Sequence, residues 1–125
     1  MLLYSSNTMH TNPLEDLTQR LREFAAARDW DRFHTPKNLA MALVAEAGEL
    51  AAEFQWLTEA QSAAPDADQM ARIRAESADV LLYLIRLADK LGVDLVAAAH
   101  AKIEDNGRRY PADKVRGSAK KYTEY

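Results

Sequence analysis

Apolar residues along this chain recur at three- and four-residue intervals, in long stretches of Ala, Leu, Glu and Arg where glycine is scarce and proline falls only at the punctuation points. That spacing places apolar side chains on one face of a helix, and the absence of alternating β-branched runs speaks against strands, so the class is all-α. Asn12-Pro13-Leu14-Glu15 reads as an N-cap, a proline at the first helical position and a reciprocal carboxylate at N3. The helix it starts carries the stripe Leu14, Leu17, Leu21, Phe24 and Ala25, until the polar and aromatic residues 28–34 predict a loop. Thr35-Pro36 starts a second helix running to about Leu57 or Glu59, followed by a linker over residues 62–66. A third helix is expected over residues 68–91 with Gly92 as its C′ residue, and a fourth from Asp94 as N-cap to about Tyr110, where Pro111 stops it. The expectation is a four-helix-bundle-type domain over residues 13–111, with a flexible N-terminus over 1–12 and a basic tail over 112–125.

Two of the apolar stripes are interrupted by acids. In the second helix Leu39, Leu43, Leu50, Phe54 and Leu57 define the buried arc, yet Glu46 and Glu53 project into it and Glu49 lies at its edge. In the third, Ile73, Val80, Leu84, Leu87 and Leu91 form the apolar side, with Glu76 inside its margin and Asp79 one turn on. Each pair, Glu46 with Glu49 and Glu76 with Asp79, is spaced i, i+3 and shares a helix face. Desolvation and mutual repulsion both oppose ionised carboxylates gathered in a core. A hard cation such as Mg²⁺ or Mn²⁺ relieves both, and an all-oxygen donor set suits it. The bland alternative is a solvated acidic face or salt bridges to Arg72, Arg74 or Lys102; two pairs in two stripes favour metal over that alternative.

On the fourth helix Lys102, Asn106 and Arg109 form one polar stripe at i, i+4 and i+7, suited to phosphate oxygens, or simply a wet helix end where cations meet the helix dipole. Trp30, Phe33, His34, Trp56 and Tyr83 offer planar side chains on which a nucleobase can stack; core packing competes, above all for Phe33 and Tyr83. Val80 to Ile85 is apolar around nearly the whole circumference, which predicts a second subunit against it and a homo-oligomer, a dimer of dimers.

Composition narrows the class further. The formal net charge of −3 supplies no long-range attraction for a polyanion, so nucleic acid is not expected as a partner, and a polyphosphate ligand needs a metal or a local basic cluster. There are no cysteines, which excludes disulfides and thiolate metal sites and fits a cytoplasmic protein. Neither a signal-like start nor a run long and apolar enough to span a membrane is present in the sequence, so no membrane partner is expected.

Taken together, residues 28–34, Glu46 to Trp56, Glu76 to Tyr83 and Lys102 to Pro111 make the chain similar to the MazG-like all-α nucleotide pyrophosphohydrolases, and within them to the dCTP pyrophosphatase-type branch. The resemblance implies that Glu46, Glu49, Glu76 and Asp79 bind Mg²⁺, and that Trp30, Asp31, Arg32, Phe33, His34, Trp56 and Tyr83 contact the nucleotide. It also implies hydrolysis of a nucleoside triphosphate to the monophosphate and pyrophosphate, a house-cleaning reaction, with attack on the α-phosphorus. Mg²⁺ can neutralise the triphosphate and acidify water, Glu49 or Glu53 can orient that water, and Lys102 or Arg109 can stabilise the leaving pyrophosphate. One departure is Leu21, which stands where some relatives carry a polar base contact. Three other readings remain: the same chemistry with a different nucleotide preference, a non-catalytic helical interaction module with an acidic cluster, and a di-iron carboxylate bundle. The last needs Glu-x-x-His pairs that this chain lacks.

Overall fold

The first backbone amides of a helix have no intrahelical acceptor, and this chain supplies one at each long helix start. In the computed structural model, which describes residues 12–118, Asn12 Oδ1 accepts from the Glu15 N–H at 2.8 Å and opens α1 (Pro13–Ala27). Thr35 Oγ1 accepts from the Asn38 N–H at 3.2 Å and opens α2 (Pro36–Ala52), and Thr58 opens the short α3 (Glu59–Ala63). Asp66 accepts from Gln69 at 2.8 Å to open α4 (Ala67–Leu91), and Asp94 from Ala97 at 3.0 Å to open α5 (Leu95–Arg109). A 3-10 turn over Asp31–Phe33 lies within the expected loop, and α6 (Ala112–Val115) lies within the expected tail. Every regular element among the described residues is helical. The expected flexible N-terminus through residue 11, and the tail from residue 119, lie outside the described residues.

The chain divides after Gly92 into two compact units, so the span expected as one domain, residues 13–111, crosses that division and ends inside the second unit. In the first, α4 packs along α2 and against α1, and the buried apolar residues are Ala25, Leu39, Ile85 and Ala88, one or two from each long helix. The second unit contains α5 and α6.

Two details differ from the periodicity. The second helix ends at Ala52, not near Leu57, because Thr58 and Gln61 form a reciprocal capping box that starts a new helix. Phe54 and Leu57 merely continue the apolar spacing through the intervening turns. On α4 the buried apolar positions are Ile85 and Ala88, while Leu84 and Leu91 of the expected stripe are exposed, as are Leu81 and, on α2, Met41 and Val44.

The end of α1 decides where Trp30 goes. The Asp29 N–H donates to the Ala26 carbonyl at 3.2 Å and the Trp30 N–H to the Ala25 carbonyl at 2.9 Å, a Schellman pattern with Asp29 at the left-handed position, φ 54°. An L-residue there costs about 1 kcal/mol, and the exposed Asp29–Arg32 ion pair at 3.3 Å offsets little of it. Asp29→Gly is therefore expected to raise the midpoint of thermal unfolding by about 2–5 °C. A lower midpoint would show that the aspartate itself holds the turn.

Candidate active site

The packing of α2 against α4 brings the interrupting acids together. One carboxylate oxygen from each of Glu46, Glu49 and Glu76 lies within 4.8 Å of the others, and Asp79, near enough to act on Glu46, adds a fourth acid beside them. Desolvation first, then Asp79 and the charge of Glu49, push Glu46 up to about 7. Glu76 is also raised, first by desolvation and then by Glu49, and its Oε2 is buried without a hydrogen-bond partner among the described residues. An orphaned buried carboxylate oxygen and repelling neighbours constitute a site short of positive charge, and four carboxylates match the oxygen preference of Mg²⁺ or Mn²⁺. Among the described residues the salt-bridge alternative holds for Glu53 alone of the five acids, which accepts from Arg72 Nε at 2.9 Å.

These shifts fix a pH dependence. A carboxyl whose pKa is higher in the folded than in the unfolded state costs nothing while both states are protonated, and lowers stability progressively as pH rises through the interval between the two values. For Glu46 that interval runs from 4.5 to about 7. Asp31 and Asp89 are shifted down, Asp31 first by Lys90 and Asp89 first by Arg22, so the stability they contribute is lost only below their ordinary value of 3.8. Metal-free protein is accordingly expected to melt at a lower temperature at pH 8 than at pH 5.5, and Mg²⁺ to raise the midpoint at pH 8 but hardly at pH 4.5, where protons compete for the same oxygens. A Mg²⁺ effect independent of pH, read by scanning calorimetry, would contradict the cluster as the binding site.

Beside the acids lies an open cleft of about 430 Å³ lined by Trp30, His34, Asp79, Tyr83, Leu21 and Arg86, among others. Asp79 thus belongs to both features. Trp30 is held edge-on by Phe24 at 5.8 Å between centroids and 67°, with the Arg28 guanidinium over the Phe24 ring at 3.5 Å. His34 meets Trp30 edge-on from the 3-10 turn.

The structure does not bring every expected contact to this cleft. Asp31 spends its carboxylate on Arg86 and Lys90, at 2.6 and 2.5 Å. Arg32 lies over the exposed Phe33 ring and pairs with Asp29, and neither Arg32 nor Phe33 lines the cleft. Trp56 is 86% exposed and is absent from the lining as well. Lys102, Asn106 and Arg109 lie on α5 in the second unit, where Asp105 pairs with Lys102 at 3.7 Å and with Arg109 at 3.2 Å. Two lining residues escaped the sequence reading, Arg20 and Arg86. Arg86 carried the same signal as the glutamates, a charge inside the apolar run from Val80 to Leu87.

An all-α chain with a carboxylate cluster beside an aromatic cleft offers oxygen donors suited to a hard cation next to flat side chains. The chain belongs to the MazG-like family, whose model matches residues 41–125. It is 47% identical over 113 residues to dCTP pyrophosphatase 1 of Homo sapiens and 48% identical over 114 residues to that of Rattus norvegicus, covering 89% of this chain in each case. The match spans 66% of the length of these relatives. A solved pyrophosphatase from Archaeoglobus fulgidus, 37% identical, superposes with a TM-score of 0.76 over 82% of this chain and 95% of its own. No helix among the described residues is long and apolar enough to cross a membrane.

Proposed function

We propose that this chain is a divalent-cation-dependent nucleoside triphosphate pyrophosphohydrolase that takes dCTP or a 5-modified deoxycytidine triphosphate, forms the monophosphate and pyrophosphate, and cleans the cytoplasmic nucleotide pool. The observation that carries this reading is the clustering of Glu46, Glu49 and Glu76, with an orphaned Glu76 oxygen, next to Asp79, which itself lines the aromatic cleft. The names of the relatives support the same substrate.

Glu46, Glu49, Glu76 and Asp79 would hold the cation, Mg²⁺ in the first place and Mn²⁺ as its substitute. When bound, it supplies charge neutralisation for the triphosphate and Lewis-acid polarisation at phosphorus. Trp30 and Tyr83 confine the base in the cleft, with His34 on its edge. Water oxygen bonds to the α-phosphorus, the bond from that phosphorus to the bridging oxygen breaks, and pyrophosphate leaves with the electron pair. Glu49 or Glu53 accepts the water proton. Glu53 lies outside the three-carboxylate cluster and is oriented by Arg72, so it is the better placed of the two to remain a base. Lys102, Asn106 and Arg109 are assigned to the phosphates on their helical spacing and donor chemistry. We assign the span 13–111 as the working domain. The exposed Met41, Val44, Leu81, Leu84 and Trp56 favour a homo-oligomer, a dimer of dimers, that covers them.

The deciding experiment is pyrophosphate release across canonical and modified nucleotides with and without Mg²⁺, on material whose mass is measured by sedimentation equilibrium. Metal-dependent release, fastest with a deoxycytidine triphosphate, from a species well above 14.0 kDa is expected. Absence of release from every nucleotide, with no Mg²⁺ or nucleotide effect on melting, would favour the interaction module instead.

A further inference from the structure

Arg86 is a charged side chain buried to 5% exposure in the C-terminal part of α4, and each of its three guanidinium nitrogens is engaged. Its Nε donates to His34 Nδ1 at 3.1 Å, one terminal nitrogen to Asp31 Oδ1 at 2.6 Å and the other to Asp89 Oδ2 at 3.4 Å. Both acids are anchored in turn, Asp31 by Lys90 at 2.5 Å and Asp89 by two bonds from Arg22 at 2.6 and 2.9 Å. The guanidinium therefore has a fixed orientation, and its Nε–H points at one ring nitrogen.

A guanidinium donates and never accepts, so His34 Nδ1 must be the unprotonated nitrogen and the ring proton must sit on Nε2. Nε2 makes no hydrogen bond to any described residue, and both His34 and Arg86 line the cleft beside Trp30 and Tyr83. We propose that Arg86 is a positioning residue for base selectivity: it locks His34 as a pure Nε2–H donor in the cleft, which favours a base presenting an acceptor at ring position 3. Cytosine has an unprotonated N3 and accepts there; uracil and thymine carry N3–H and would set donor against donor. Burial first, then the positive charges of Arg86 and Lys90, hold His34 below its ordinary value against the opposing pull of Asp31, so the neutral ring persists at physiological pH. This rests on the cleft being the base site.

The test combines spectroscopy and kinetics. Two-bond ¹H–¹⁵N spectra of the wild-type imidazoles without nucleotide are expected to show His34 as the neutral Nε2–H tautomer. The Nδ1–H form or an imidazolium at pH 7.5 would overturn the proposal, and this measurement holds even where no variant folds. Arg86→Met is expected to reduce the ratio of kcat/KM for dCTP over dUTP by about tenfold or more, since an unpaired buried polar group is what rejects the wrong base. Arg86→Lys, which keeps a cationic donor, should retain more of that ratio, and Arg86→Met added to His34→Phe should change it no further. A merely structural Arg86 would lower both rates together, leave the ratio standing and so sink the proposal, as would equal wild-type kcat/KM for the two nucleotides. Unchanged KM for every nucleotide in both Trp30→Ala and His34→Phe would instead show that the cleft does not hold the base.

Discussion

Glu49→Gln and Asp79→Asn are each expected to abolish turnover, with kcat/KM falling by roughly a thousandfold or more, about 4 kcal/mol of transition-state stabilisation. Each exchange keeps the shape of the side chain and removes one negative charge, Glu49 from the three glutamates held within 4.8 Å of one another and Asp79 from the neighbour that helps raise Glu46. The helical circular dichroism should survive, because Leu39, Ile85 and Ala88 are untouched. Without metal, Glu49→Gln is expected to melt no lower than the wild type, since Glu49 is a source of the repulsion that raises both Glu46 and Glu76. The Mg²⁺-induced rise in melting temperature should disappear. Near-wild-type turnover at saturating Mg²⁺ would remove the four carboxylates from the mechanism. Glu53→Gln separates roles: a lost proton acceptor lowers kcat with the Mg²⁺ response intact, whereas a purely structural partner of Arg72 changes stability alone.

The acids were legible because charge inside an apolar stripe violates a periodicity that otherwise holds over whole helices, and each i, i+3 pair shares a face in any α-helix. Caps were legible for a similar reason, since Asn12, Thr35 and Asp94 satisfy backbone donors within three residues of themselves. The end of α2 was not, because Phe54 and Leu57 keep helical spacing while the capping box at Thr58 competes with it. Nor was the cleft, which depends on contacts between residues far apart in sequence. Arg86 and Asp31 are 55 positions apart, and their pairing engages a carboxylate that the family resemblance implies for the nucleotide. The rotation of the buried face of α4 onto Ile85 and Ala88 likewise depends on how α1 and α2 meet that helix, which no single stripe encodes. The MazG-like match begins at residue 41, within α2, and runs to residue 125, and so includes all four acids and Arg86 but not Trp30 or His34.

Trp30→Ala is expected to raise KM for the preferred nucleotide by about 10- to 100-fold, because stacking on one aromatic plane contributes about 1–3 kcal/mol per base. Trp30 is suited to this role by its support: the Schellman turn sets its backbone, Phe24 fixes its ring edge-on, and the exposed remainder faces a cleft shared with Tyr83 and Asp79. The effect should fall on KM more than on kcat, and the Mg²⁺-induced stabilisation should be unchanged, since the clustered carboxylates proposed to hold the cation belong to α2 and α4. Stacking alone does not choose a base. Every base offers a π-face, so the loss in Trp30→Ala should be similar for pyrimidines and purines, while preference for dCTP over dATP should persist in the variant. That preference then lies in the base edge, where His34 offers a donor, and in the apolar wall formed by Leu21, which offers none. A Trp30→Ala enzyme with unchanged KM would move the base out of this cleft. One that had also lost the preference for dCTP over dATP would place discrimination on the ring of Trp30 and not on the edge contacts.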